Sequence, residues 1–198
     1  MKLLIFSDIH GDKAALERLM DTEADYYFAA GDLSNFARGL DKLGPVLARR
    51  RERMFVIPGN HESEKDVADF CESFGFENLH GKSIQLGKYW LAALGYSNIT
   101  PFQTPGEYTE EEIARRLSPF DSVADPLVLI CHCPPKGTRL DCAGPGRHFG
   151  STAVREFIDR RQPVYFYCGH VHEAAGEADR IGRTQGWNVG KTGVVLEI

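Results

Sequence analysis

Five short apolar runs, each ended by a side chain able to bind a metal, constrain this chain more than any other feature. Leu3–Phe6 is followed by Asp8 and His10, and Tyr26–Ala30 by Asp32. Met54–Ile57 is followed by Asn60 and His61. The run from Leu127 ends on His132, and Val164–Cys168 is followed by His170 and His172. Apolar runs of this length bounded by turn signals read as strands. Helix-period segments separate the first three: Leu16, Leu19 and Met20, then Leu40, Leu43, Val46 and Leu47. A third, after Met54–Ile57, carries Val67, Phe70, Cys71 and Phe74. This βαβαβα order implies an α/β fold whose first half is a parallel sheet with helical crossovers. Ligands bind at the carboxyl ends of such strands, so residues far apart in sequence can converge there.

The remainder changes character. Ser83–Leu86, Gly87-Lys88 and Tyr89–Leu94 read as a hairpin. Asp12, Thr109 and Ser151 are placed to cap helices, Thr109 with Glu112 as a capping box. Gly44-Pro45 should interrupt the second helix, and Arg49, Arg50, Arg51 and Arg53 should favour its C-terminal end. Asn98–Tyr108 and Lys136–Gly150 are Gly- and Pro-bearing loops, and Val194–Ile198 is expected in a closing hairpin. Trp187 and Asn188 fall in a turn-like segment, with core packing the expected role of Trp187. No linker or repeat divides residues 1–198, so one domain is expected.

Charge and cysteine usage narrow the function. A formal net charge of -5 argues against a broad nucleic-acid surface. No apolar run reaches the length of a membrane span. The N-terminus has no signal-peptide pattern, so the expected compartment is the cytoplasm. Five cysteines without a CxxC pair disfavour a disulfide framework and a thiolate metal site. Cys131 and Cys133 flank His132 and should face away from it, because strand neighbours alternate sides.

No single motif decides the chemistry. Asp8-Ile9-His10 and Gly31-Asp32 are common, and an Asp after a strand can simply cap a helix. Gly59-Asn60-His61-Glu62 also suits a tight turn. Gly169-His170-Val171-His172 is stronger, since two histidines after one buried strand are hard to explain as core residues. Five of the seven histidines occupy strand ends; only His80 and His148 do not.

Taken in order, these motifs with His132 resemble the calcineurin-like metallophosphoesterase superfamily. The resemblance implies a four-layer α/β/β/α sandwich with two central mixed β-sheets and a dinuclear metal site at the strand ends. Asp8, His10 and His172 would bind one ion, Asn60, His132 and His170 the other, and Asp32 would bridge them. His61 would act as general acid. Carboxylate, imidazole and amide donors without thiolate suit two divalent ions, Mn²⁺ first, with Fe or Zn²⁺ as alternatives. Such a pair attracts a phosphate ester and supplies hydroxide near neutral pH. The implied function is metal-dependent hydrolysis of a small phosphomonoester or phosphodiester.

Two departures argue against the protein Ser/Thr phosphatase branch. Its GDxxDRG stretch is replaced by Gly31-Asp32-Leu33-Ser34-Asn35-Phe36, and its His-Gly-Gly by His132-Cys133-Pro134-Pro135. The second pattern resembles small bacterial and archaeal single-domain members. The first leaves open whether Asn35 orients His61 or nothing does. Arg139, Arg147 and His148, with Lys136, are candidates to contact substrate; the competing reading is a solvated Gly-rich connection. A non-catalytic interaction scaffold of the same fold is the alternative function, disfavoured by a full ligand set together with His61.

Overall fold

The computed structural model describes all 198 residues. Its strands and helices run β1 (Lys2–Phe6), α1 (Lys13–Asp21), β2 (Tyr26–Ala29), α2 (Gly44–Leu47), β3 (Met54–Val56) and α3 (Glu64–Phe74). There follow β4 (Glu77–Asn78), β5 (Lys82–Leu86), β6 (Tyr89–Leu94), β7 (Ser97–Asn98), β8 (Glu107–Tyr108) and α4 (Glu110–Leu117). The last third holds β9 (Leu127–Cys131), α5 (Thr152–Arg161), β10 (Tyr165–Cys168), β11 (Ala178–Ile181), β12 (Thr184–Asn188) and β13 (Val194–Glu197).

Two mixed sheets form the centre. One has the order β13-β1-β2-β3-β4, parallel except for β13. The other has the order β11-β12-β10-β9-β6-β5, with a parallel interior and an antiparallel strand at each edge. Alternation along the strands builds three apolar layers. Leu4 and Phe6 pack outward on α1 and α3, while Leu3 and Ile5 pack inward against the second sheet. In β9, Val128 and Ile130 face that same inter-sheet core, while Leu127 and Leu129 pack toward α4 and α5. Both faces of the central strands are therefore buried, which is why they read as unbroken apolar runs. The result is a four-layer α/β/β/α sandwich. No helix is long and apolar enough to cross a membrane.

The local signals work as expected at several helix ends. Asp12 accepts from Ala15 N, Ser151 from Val154 N, and Thr109 forms its capping box with Glu112. Cysteines 71, 131, 133 and 168 are buried, and burial pushes the Cys133 thiol up to about 12.

Three expectations are corrected. The segment after β2, interrupted at Gly44-Pro45 as expected, runs as a 3-10 turn (Leu40–Lys42), the single turn α2, and a 3-10 stretch (Ala48–Arg53). Its arginines serve a neighbour: Arg49 pairs with Asp21, and Arg50 Nε donates to Met20 O, an open carbonyl of the last turn of α1. The C-terminal strand closes no hairpin with its predecessor but pairs antiparallel with β1, and the hairpin is β11–β12. Trp187 and Asn188 lie in β12 rather than a turn, and Trp187 stacks on Tyr167 at 5.4 Å.

Asn188 is buried, and its Nδ2 lies 3.1, 3.1 and 3.0 Å from the carbonyls of Leu140, Gly169 and Val171. It ties the loops after β9 and β10 to the end of β12. Asn188→Leu removes the donor from buried acceptors and is expected to cost about 1–3 kcal/mol. A lower urea midpoint at unchanged slope reads this out; an unshifted midpoint refutes it.

Candidate metal centre

The carboxyl ends of β1, β2, β3, β9 and β10 meet at one place. The loops leaving them turn so sharply that Asp8, His10, Asp32 and His170 all adopt left-handed backbone, with φ of 57°, 48°, 51° and 69°. Such conformations cost of order 1–3 kcal/mol each for residues other than glycine. They persist because the loops are stitched together: Asp8 N donates to Gly31 O, His10 N to Asp32 O, and His170 N to the Asp8 carboxylate.

Glu62, fully buried, completes the stitching. Its carboxylate accepts from Asp32 N, Ser34 N and Gly59 N at 3.0, 2.8 and 3.0 Å, joining the loops after β2 and β3. Burial and the Asp32 charge push its carboxyl up to about 8, against those backbone donors. Glycine is required where backbone passes close to the carboxylates. A Cβ on Gly59 would fall on Asp32, and one on Gly169 would fall on Asp8 and Ser7.

All seven expected ligands are brought together, six of them in two groups, and a third group of His10, Asp32 and His61 lies between these. Asp8, His10 and His172 form the first, and Asp32, His132 and His170 the second, with donor atoms inside each group within 4.8 Å of one another. Asn60 Oδ1 joins the second group, 3.1 Å from His132 Nε2 and 2.8 Å from His170 Nδ1. Asp32 Oδ2 stands between the groups, 3.4 Å from His132 Nε2 and 3.7 Å from His10 Nε2.

The donor set fits divalent ions. His132 Nδ1 is held by Ala30 O at 2.9 Å and His10 Nδ1 by Asn35 Oδ1 at 2.8 Å. Each bond fixes the tautomer and leaves Nε2 free to donate its lone pair inward. His10 Nε2 and His172 Nε2 then face each other at 2.9 Å beside Asp8, close enough to share one cation. Two buried acids with no lysine or arginine paired to them point the same way. Burial opposes a charge on His132, yet the Asp32 and Asp8 carboxylates raise it to about 9. Burial and the His132 charge lower His170 to about 4.

Asn35 therefore orients His10, with Nδ2 also near His10 O, and not His61. The His61 ring stands edge-on between His10 at 5.1 Å and Phe36 at 4.8 Å. Its Nδ1 is buried without a partner, leaving Nε2 as the nitrogen available to a substrate. Burial lowers the His61 pKa, with Asp32 opposing.

A cavity of about 510 Å³ opens on Asp32, Asn60, His61, His170 and His172. Residues 98–102, Lys136 and residues 148–150 form its walls. Of the basic residues nominated from sequence, His148 and Lys136 line it. Arg139 and Arg147 do not: Arg139 pairs with Glu177, and Arg147 folds back onto Ala143 O.

The Calcineurin-like phosphoesterase family model matches residues 1–174. The chain belongs to this family. It is 34% identical over 190 residues to the uncharacterized protein MJ1162 of Methanocaldococcus jannaschii, covering 93% of this chain and 85% of that one. Among solved structures it is similar to TT1561 of Thermus thermophilus, at TM-score 0.73 and 19% identity, covering 96% of this chain and 90% of that one. It is also similar to the phosphopantetheinyl hydrolase PptH of Mycobacterium tuberculosis, at TM-score 0.68 and 17% identity over 96% and 88% of the two chains. Those structural likenesses carry the fold. The family carries the general chemistry, metal-dependent hydrolysis of phosphate esters.

Gly169→Ala should displace Asp8 and weaken divalent-metal binding by about 10–100-fold, as when the supports of a ligand are disturbed. Titration of the apo-protein with Mn²⁺ measures this, and unchanged affinity would contradict the close approach seen here.

Proposed function

We propose that this chain hydrolyses phosphate esters with two divalent ions bridged by Asp32, and with His61 as the general acid. The observation that carries the reading is the pair of ligand groups, one on each side of a single buried carboxylate. Asp8, His10 and His172 would hold one ion, and Asn60, His132 and His170 the other. Mn²⁺ suits this oxygen- and nitrogen-rich set, with Fe and Zn²⁺ also compatible. When bound, such ions polarise the phosphoryl oxygens and lower the pKa of water to near neutrality.

The remaining work falls to the side chains. Asn35 and Ala30 O fix two imidazoles, and the strained strand-end loops hold the donors in place before any substrate arrives. His61 lines the cavity without belonging to the proposed ligand set. With its Nδ1 buried, its Nε2 is the nitrogen left to give a proton to a departing oxygen. Lys136 and His148 add polar, hydrogen-bonding side chains to the same cavity lining. A small phosphate ester, monoester or diester, fits a cavity of this size.

Two variants separate the roles. His61→Ala is expected to keep both ions and lose about 10²–10⁴-fold in turnover. Asp32→Asn is expected to lose both the ions and the activity. Metal content by mass spectrometry, with hydrolysis of para-nitrophenyl phosphate and its bis-ester, tests this; a metal-replete His61→Ala protein with undiminished rate sinks the acid assignment. Chelation should abolish turnover and Mn²⁺ restore it. Absence of turnover with every divalent ion would favour a binding scaffold.

A further inference from the structure

The large apolar side chains exposed on this molecule are Met1, Phe36, Ile99, Phe102, Phe149, Val164 and Val195. Three of them, Ile99, Phe102 and Phe149, line the cavity beside the candidate metal centre, at 62%, 75% and 54% exposure. A fourth, Phe36, rests its ring against His61. Single exposed apolar residues are ordinary, but a cluster on one cavity rim marks a binding surface.

The loops that carry these side chains are closed by buried or half-buried carboxylates. Glu107 accepts from Thr100 Oγ1, Thr104 N and Thr104 Oγ1, and Asn60 Nδ2 donates to Thr104 Oγ1. The loop bearing Ile99 and Phe102 is thereby fixed to a candidate ligand. In the other lining loop the buried Asp141 accepts from Gly137 N, Thr138 N, Gly150 N and His148 Nδ1. That network brackets Phe149 on both sides. Both loops commit several hydrogen bonds to a shape that keeps apolar groups in water, which is unfavourable unless something covers them.

We propose that this apolar wall receives a planar aromatic or heteroaromatic substituent of the substrate. The site then favours phosphate esters of aryl or nucleoside type over those of small alkyl alcohols. Phosphoryl oxygens go to the metal-facing end of the cavity, toward His61, and the ring lies between Phe102 and Phe149. Lys136, which forms no ion pair, serves a polar group on that substituent. The inference rests on the phosphoesterase reading and adds to it the class of group beyond the phosphorus.

Phenylphosphonate and methylphosphonate test it without turnover, since neither carries a hydrolysable ester. In calorimetric titrations of the Mn²⁺-loaded protein, at a pH where both are dianions, the phenyl compound should bind at least about tenfold more tightly. The Phe102→Ala/Phe149→Ala double variant should reduce that ratio to about threefold or less. Val195→Ser, an exposed apolar residue on β13 away from the cavity, should leave the ratio as in the wild type. Equal affinities in the wild type, or a ratio that survives the double substitution, overturn this inference alone. Failure of both phosphonates to bind the loaded protein overturns the phosphoesterase reading and the inference with it.

Discussion

Two carboxylates, Asp8 and Asp32, lie buried side by side at the strand ends with no ammonium or guanidinium to neutralise them. That is an expensive arrangement in any protein interior, because a charge removed from water must be paired or coordinated. Imidazoles, backbone N–H groups and bound cations are what this fold offers instead. The surrounding architecture can be understood as the means of keeping that pair in place. Glycines stand where any side chain would strike the acids, Glu62 ties the loops that carry them, and Asn188 anchors the loop after β10. The net charge of -5 does not conflict with a phosphate substrate, since two divalent ions would reverse the local sign at this one point.

Much of this was legible from sequence, because it follows from period and placement. A strand buried on both faces writes itself as an unbroken apolar run. The polar residue after such a run must lie at the sheet's carboxyl edge, so Asp8, Asp32, Asn60, His132 and His170 could be brought together from their positions alone. The caps at Asp12, Thr109 and Ser151 are local interactions across three residues, and they too are readable.

What escaped the sequence depends on contacts between distant segments or on the direction of one side chain. Arg139 follows a candidate ligand closely, yet a glutamate 38 residues later, Glu177, draws it away from the cavity. Asn35 replaces an acid expected near His61 but turns to His10, in a loop with left-handed backbone at Asp32 and Phe36. Glu62 was visible within its motif, but nothing in Gly59-Asn60-His61-Glu62 says that its carboxylate reaches back to Asp32 and Ser34. The arginines after α2 were expected at their own helix end, while the carbonyl they satisfy belongs to α1, which the sheet brings alongside.

Strand ends and loops carry different parts of the site. The candidate ligands sit within one to four residues of a central strand, where the inter-sheet core fixes the backbone. Phe102, Lys136 and Phe149 sit on loops whose shape is set instead by two carboxylates, Glu107 and Asp141, bonded to backbone and hydroxyl groups nearby. Those loop scaffolds do not depend on what the exposed side chains are. A change from Phe102 or Phe149 to another residue therefore alters what the cavity can hold at little cost to the sheets or to the buried acids. In this molecule the candidate ligands are held by the core, and the apolar lining of the cavity by loops outside it.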